Sequence, residues 1–158
     1  MKKQFLPLML LASAICSCSE KQPETTEPMI TKTEIQVENG QFTPEIMHRL
    51  GKVGDVQVSP DHSKILYGVT YTSIEQNKGN RELYLMNVDG SENVKITNTP
   101  KSESNARWLS DSQIIYMRSG KLYTATIEGA SLKNETDVAG AEGMQSFVLS
   151  PAGDQRMF

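Results

Sequence analysis

The side chains best suited to transfer protons are those of His48 and His62, which are the only histidines in the sequence. A general base needs a reacting group within hydrogen-bond reach and a partner that orients it. Neither histidine lies in a sequence pattern typical of such a site. We therefore expect both to be surface residues, and the sequence offers no candidate catalytic residue.

Carboxylates recur along the chain, and four aspartates fall at the turns of an internal repeat: Asp55, Asp61, Asp89 and Asp111. Aspartate favours turns because its side chain accepts hydrogen bonds from nearby backbone N–H groups. A metal site would need several of them together, and these four are spread over different turns. We expect each to stabilise its own turn, and we expect neither a metal site nor a bound cofactor.

The only thiols, Cys16 and Cys18, lie within the first 18 residues and follow a basic start and the apolar run Phe5–Ala12. This order is typical of a secretory signal peptide. The segment Ile15-Cys16-Ser17-Cys18 resembles the bacterial lipobox, in which an aliphatic and a small residue precede the lipidated cysteine. It predicts a signal peptide over residues 1–17 and lipidation of Cys18.

An alternative cleavage site is Ala12-Ser13-Ala14, which suits ordinary signal peptidase and would leave a soluble periplasmic protein. With the lipid, the protein would be anchored in the bacterial cell envelope and would face the periplasm or the cell surface, with the membrane as a partner. Residues 18–41 are rich in Glu, Thr, Pro and Gln, which predicts a flexible linker.

A short helix is predicted within residues 42–54, before the repeat begins. Thr43 is a good N-cap, and Pro44 suits the first helical position, where a missing N–H has no consequence. Gly51 is expected to end the helix.

The repeat predicts an all-β fold. Residues 56–67 return as 106–116 and again as 147–158, and residues 82–90 match 121–129 at an offset of 39. Each unit contains four short predicted strands, which is the signature of a β-propeller blade, although a β-sandwich with coincidental similarity is an alternative. We predict an incomplete propeller over 55–158, with blades at 55–100 and 104–143 and a truncated third at 144–158.

The first blade contains a polar loop over residues 73–81, between strands predicted at 65–70 and 83–88. Its charges include Glu75 and Arg81. Loops at the rim of a propeller can line an entrance, so these two residues are candidates for a substrate-entrance loop.

Composition sets the remaining limits. The chain has 158 residues, a formal net charge of −3 and a pI near 5.4, which fits one ordinary domain. Nucleic-acid-binding proteins usually concentrate Lys and Arg and run basic overall, so a nucleic-acid partner is not expected.

Three segments carry a family resemblance: Thr43–Val53, Val58–Asp61 and Asn80–Tyr84. Together they resemble the N-terminal propeller of bacterial prolyl oligopeptidase-family serine peptidases, in particular the dipeptidyl-peptidase and acylaminoacyl-peptidase-like branches. The resemblance implies a propeller that gates the access of peptide substrates to a C-terminal α/β-hydrolase domain with a Ser-Asp-His triad. The nucleophile motif Gly-x-Ser-x-Gly occurs nowhere in this sequence, so no triad residue is carried over and this chain alone is expected to be inactive.

The number of blades favours a fragment. Closed propellers need about four to eight blades, and this sequence supplies roughly two and the start of a third. We therefore expect a piece of a longer polypeptide. The alternative function is that of a non-catalytic TolB-like propeller lipoprotein that binds a protein or another envelope partner.

Overall fold

The computed structural model describes residues 28–150 and the backbone of 156–157. The predicted signal peptide, Cys18 and the first part of the predicted linker lie outside these residues. The first regular element of the described chain is one short helix, α1 (Pro44–Arg49), and antiparallel strands follow it. The prediction of an all-β fold is confirmed.

Two four-stranded antiparallel sheets follow each other along the chain, each with its strands in sequence order. The first sheet consists of β1 (Lys52–Val58), β2 (Lys64–Ser73), β3 (Lys78–Asn87) and β4 (Val94–Lys95). The second consists of β5 (Glu103–Trp108), β6 (Gln113–Arg118), β7 (Lys121–Glu128) and β8 (Ser131–Asp137). A short hairpin of β9 (Val148–Leu149) and β10 (Arg156–Met157) comes next. Two four-stranded antiparallel sheets are consistent with propeller blades, and the first starts at Lys52, three residues before the predicted blade boundary at 55.

The two sheets repeat in register. Tyr67 lies opposite Tyr84 in the first sheet, as Tyr116 lies opposite Tyr123 in the second. Each pair is stacked, with ring centroids 5.5 Å and 5.9 Å apart, respectively. Cross-strand aromatic pairs of this kind stabilise a sheet and fix its register.

The β2–β3 hairpin is the main difference between the sheets. Both of its strands have 10 residues, against 6 in β6 and 8 in β7. The two arms pair continuously to Ser73 and Lys78, so the hairpin extends beyond the length that the second sheet reaches. The predicted loop over 73–81 is therefore mostly strand, with only four residues between the arms.

Helix α1 begins as predicted, since the Thr43 hydroxyl accepts a hydrogen bond from the Ile46 N–H. Gly51 follows the last turn, but its backbone is not in the left-handed region. A Cβ at Gly51 would lie 2.8 Å from Val69 Cγ1 and 2.9 Å from Tyr71 Cε1. Glycine is needed there because the chain passes closely over β2.

The main core lies between the two sheets. Leu66, Leu83 and Leu85 of the first sheet pack against residues of the second that include Ile114 and Tyr116. A second cluster, which includes Leu122 and Phe147, lies between the second sheet and the segment after it. Each four-stranded sheet is thus buried against the part of the chain that follows it, as expected of propeller blades.

Candidate functional site

The turn of the β2–β3 hairpin carries Glu75, which is exposed as the prediction of an entrance loop requires. Ser73 Oγ donates to Glu75 Oε2 at 2.9 Å. The Glu75 backbone N–H and then this hydroxyl lower the pKa of the carboxyl. Across the turn, Gln76 Nε2 donates to the carbonyl of Pro28 at 3.1 Å, so this residue, in the middle of the predicted linker, lies against the hairpin.

Arg81 lies in a strand rather than in the loop, which corrects the predicted loop boundaries. It belongs to β3, opposite Thr70, and its side chain lies across the face of the sheet. A Cβ at Gly68 would be 2.3 Å from Arg81 Nε, and one at Gly54 would be 2.7 Å from Nη2. The two glycines therefore make room for the guanidinium.

The partner of Arg81 is Asp55. Arg81 Nη2 lies 3.1 Å from Asp55 Oδ2, and both side chains are partly buried. Within the described residues, Nη2 and Nε have no aligned hydrogen-bond acceptor. Arg81 is held mainly by charge attraction, and it fixes the base of the hairpin to β1.

Asp55 does not stabilise a turn, so that prediction was wrong. It sits in a β-bulge between Gly54 and Gln57 with φ of +52°, and its Oδ2 accepts a hydrogen bond from Asn105 N at 3.1 Å. Asn105 occupies the equivalent bulge of the second sheet with φ of +53°. Its Nδ2 in turn donates to the Phe147 carbonyl at 3.0 Å. We call these two hydrogen bonds the bulge contacts. Each runs from one unit to the backbone of the next.

Two of the other predicted turn aspartates act as expected. Asp61 Oδ1 accepts from Ser59 Oγ at 2.5 Å and from Ser63 N at 3.0 Å, and these hydrogen bonds lower the pKa of Asp61 to about 2. Asp89 accepts from Ser91 in the same way, and its pKa is also lowered.

Both histidines lie on the surface, His48 in α1 and His62 in the turn before β2, as predicted. Among the described residues, no three His, Cys, Asp or Glu side chains are placed to hold a metal ion. The same part of the chain has no helix that is both long and apolar enough to cross a membrane.

The most unusual chemistry is a pair of buried glutamates between the sheets. Glu82 of β3 is 2% exposed and Glu103 of β5 is fully buried. Both approach one hydroxyl, that of Thr97, at 2.7 Å from Glu82 Oε2 and 3.1 Å from Glu103 Oε2. Thr99 Oγ1 lies 2.7 Å from Glu103 Oε1. The two threonines belong to the connector between the sheets, residues 96–102, so the network joins the sheets and the segment that links them.

Two further charged residues, Arg118 and Glu135, lie beside this pair of glutamates. Arg118 Nη1 lies 3.6 Å from Glu103 Oε1, but the guanidinium forms its close ion pair with Glu135 and stacks 4.3 Å from the centroid of the Tyr123 ring. The Tyr116 hydroxyl donates to the same Glu135 carboxylate. Burial raises the pKa of Tyr116 above its ordinary value, and the hydrogen bond to Glu135 raises it further.

The ionisation of Glu103 is strongly perturbed. Burial raises its pKa to about 7, the charge of Glu82 acts in the same direction, and the hydroxyls of Thr99 and Thr97 and the charge of Arg118 act against it. Sequence reasoning missed both glutamates. The one available signal was Glu82, a carboxylate directly before the predicted strand at 83–88, whereas nothing near Glu103 indicates its distant partner.

No family model matches the chain. It is 30% identical over 120 residues to dipeptidyl-peptidase 5 of Porphyromonas gingivalis, a match that covers 74% of this chain and 18% of that protein. It is 25% identical over 131 residues to dipeptidyl-peptidase 5 of Porphyromonas endodontalis, covering 80% and 19%, respectively. The chain therefore spans less than a fifth of the length of these relatives.

Proposed function

Because this chain is homologous to a region of dipeptidyl-peptidase 5, a peptidase of the prolyl oligopeptidase family, we propose that it is the N-terminal propeller portion of a secreted serine exopeptidase. The observation that carries the proposal is the match over about three quarters of the chain. The two stacked four-stranded sheets support it, since their size and order are those of propeller blades. In this proposal the hydrolase domain with the nucleophile belongs to the same longer polypeptide, and the blades restrict which peptides reach it.

The native polypeptide provides the decisive test. An antibody against residues 55–130 would capture it from the source cells for mass analysis and for labelling with a serine-directed fluorophosphonate. We expect a species several times heavier than 17.5 kDa that takes the label and releases dipeptides from a chromogenic substrate. A product near 17.5 kDa without labelling would overturn the proposal and favour a binding lipoprotein of the TolB type.

Within this proposal, the β2–β3 hairpin borders the peptide entrance. Glu75 is the exposed charge at its tip, and Arg81 acts as a positioning residue because it is engaged with Asp55 at the hairpin's base. In the captured enzyme, Glu75→Ala should change KM for charged peptides with kcat little altered. Arg81→Ala should alter both constants, because the hairpin shifts. Unchanged constants in both variants would exclude the hairpin from the entrance.

We also propose that the protein is anchored in the bacterial envelope through a lipid on Cys18. The support is the lipobox-like segment that ends at this residue. Metabolic labelling with a lipid precursor should mark the wild-type protein and the Cys16→Ala variant, and the label should be lost in Cys18→Ala. Equal labelling of both variants would contradict the assignment, and no labelling of the wild-type protein would favour the soluble periplasmic form.

A further inference from the structure

The two threonine hydroxyls around Glu103 have fewer hydrogens than they have short contacts to acceptor oxygens. Thr97 Oγ1 already accepts from the Leu83 N–H at 2.8 Å, and its one hydrogen faces two carboxylates. Thr99 Oγ1 also has one hydrogen, and it faces the Lys101 carbonyl at 2.6 Å and Glu103 Oε1 at 2.7 Å. The two hydroxyls therefore have four acceptor contacts between them. An oxygen pair closer than about 2.8 Å without a hydrogen between them is repulsive.

One additional proton resolves this shortage. If Glu103 Oε1 carries it, Glu103 donates to Thr99, Thr99 donates to the Lys101 carbonyl, and Thr97 donates to Glu82. Each of the three contacts of 2.7 Å or less then holds one hydrogen, and only the contact of 3.1 Å between Thr97 and Glu103 is left without one.

The donors on each side identify which carboxyl holds the proton. Glu82 also accepts from the Thr99 N–H at 3.1 Å and from Asn80 Nδ2 at 3.2 Å, and these groups stabilise a carboxylate. Within the described part of the chain, the hydrogen-bonding partners of the Glu103 carboxyl are the two hydroxyls alone, which can accept a hydrogen from it as well as donate one. The charged groups that face it are Glu82 from β3 and Arg118 from β6, whose close partner is Glu135 of β8.

We propose that Glu103 carries a proton in the folded protein and that losing this proton as the pH rises loosens the joint between the first and second sheets. Deprotonation removes the hydrogen from the contact between Glu103 and Thr99 and places a second negative charge beside Glu82. Both effects act on the connector of residues 96–102. The network thus stabilises the contact between the two sheets only while Glu103 is protonated, and the connector of residues 96–102 is the covalent link between them.

Hydrogen–deuterium exchange of the connector, read by mass spectrometry, tests this. The ordinary pKa of 4.5 and the raised value of about 7 predict a roughly tenfold rise in the opening constant between about pH 6 and about pH 8, after correction for the intrinsic exchange rate. In Glu103→Gln, whose amide supplies hydrogens at every pH, the corrected opening constant should be unchanged. An equal rise in both proteins, or no rise in the wild type, would overturn the proposal.

An infrared titration of the wild-type protein keeps the proposal testable even if the variant does not fold. A protonated carboxyl gives a carbonyl stretching band distinct from that of carboxylates. We expect such a band to persist well above pH 4.5 and to disappear with a midpoint near 7. In Glu82→Gln the midpoint should fall, because a neighbouring negative charge is removed. A wild-type protein whose carboxyl bands all vanish by about pH 5.5 would refute a proton on Glu103.

Discussion

Replacing Asp55 by alanine should destabilise the fold at the boundary between the first and second sheets. The carboxylate attracts Arg81 within its own sheet and accepts from the Asn105 N–H in the next one. Alanine removes both interactions. It also has to adopt the left-handed backbone with φ of +52°, which aspartate tolerates better.

The magnitude follows from the three losses. Leaving the half-buried Asn105 N–H without an acceptor costs about 1–2 kcal/mol. The ion pair with Arg81 is partly screened by solvent and lacks aligned hydrogen bonds, so its loss costs about 0.5 kcal/mol. The left-handed backbone adds about 0.5–1 kcal/mol for alanine relative to aspartate. The sum is about 3 kcal/mol, and Asp55→Asn should lose only about 1 kcal/mol because its amide oxygen still accepts from Asn105.

Urea unfolding of the chain, followed by the fluorescence of Trp108, measures these differences, since the Trp108 indole hydrogen bonds to the Gln57 carbonyl across the same sheet boundary. We expect the order wild type, Asp55→Asn, Asp55→Ala, with the larger step at the second substitution. A double-mutant cycle with Arg81→Ala isolates the ion pair. Equal destabilisation by the two Asp55 variants would contradict this account, because it would mean that the ion pair with Arg81 inside the first sheet, and not the hydrogen bond to Asn105, supplies the stability.

Three further outcomes are expected. Burial raises the pKa of Glu103 from 4.5 to about 7, so this carboxyl ionises at lower pH in the unfolded state than in the folded state. The free energy of unfolding should therefore fall between about pH 4.5 and 7, by at most about 3 kcal/mol, and level off at higher pH. A free energy of unfolding that rises over this range in urea titrations would contradict the network. Asp61→Ala should lower the thermal midpoint in calorimetry more than Asp111→Ala does. The reason is that Asp61 accepts from Ser59 and Ser63, whereas at the turn of Asp111 the Ser110 hydroxyl accepts from Ser112. The reverse order of the two midpoints would contradict these roles. Leu83→Ala, in the core between the sheets, should cost about 2–5 kcal/mol, against less than about 0.5 kcal/mol for the exposed Val88→Ala, and similar values for both would place the core elsewhere.

The fold could be predicted from the sequence because its determinants are local and repeated. Tyr67 returns as Tyr116 and Tyr84 returns as Tyr123, and each sheet contains one stacked pair of these tyrosines. The offsets differ by ten residues between the two halves of the repeat, and those residues form the extended β2–β3 hairpin. The polar composition around Glu75 nevertheless predicted a loop, because a hairpin arm that projects beyond its sheet can be polar and still form a complete ladder.

The contacts between the sheets were not predictable in the same way. Asp55 looks like a turn residue in sequence, and only its position in a bulge directs the carboxylate towards Asn105, fifty residues further along. Glu82 and Glu103 come together because the sheets stack with their connector between them. Such pairings depend on the relative placement of elements, which no local pattern encodes, and a carboxylate beside an apolar strand is ordinarily read as solvated.

The bulge contacts bear on how a chain of this kind can grow. In each contact the following unit supplies a backbone group, the N–H of Asn105 or the carbonyl of Phe147, so no particular side chain is required there. A tandem gene duplication of one unit would therefore produce a neighbour that already fits, with no compensating mutation needed in the copy. The side chain in the bulge can afterwards diverge, because a peptide group offers both an N–H and a carbonyl: Asp55 accepts from the N–H of the next unit, and Asn105 donates to the carbonyl of the next.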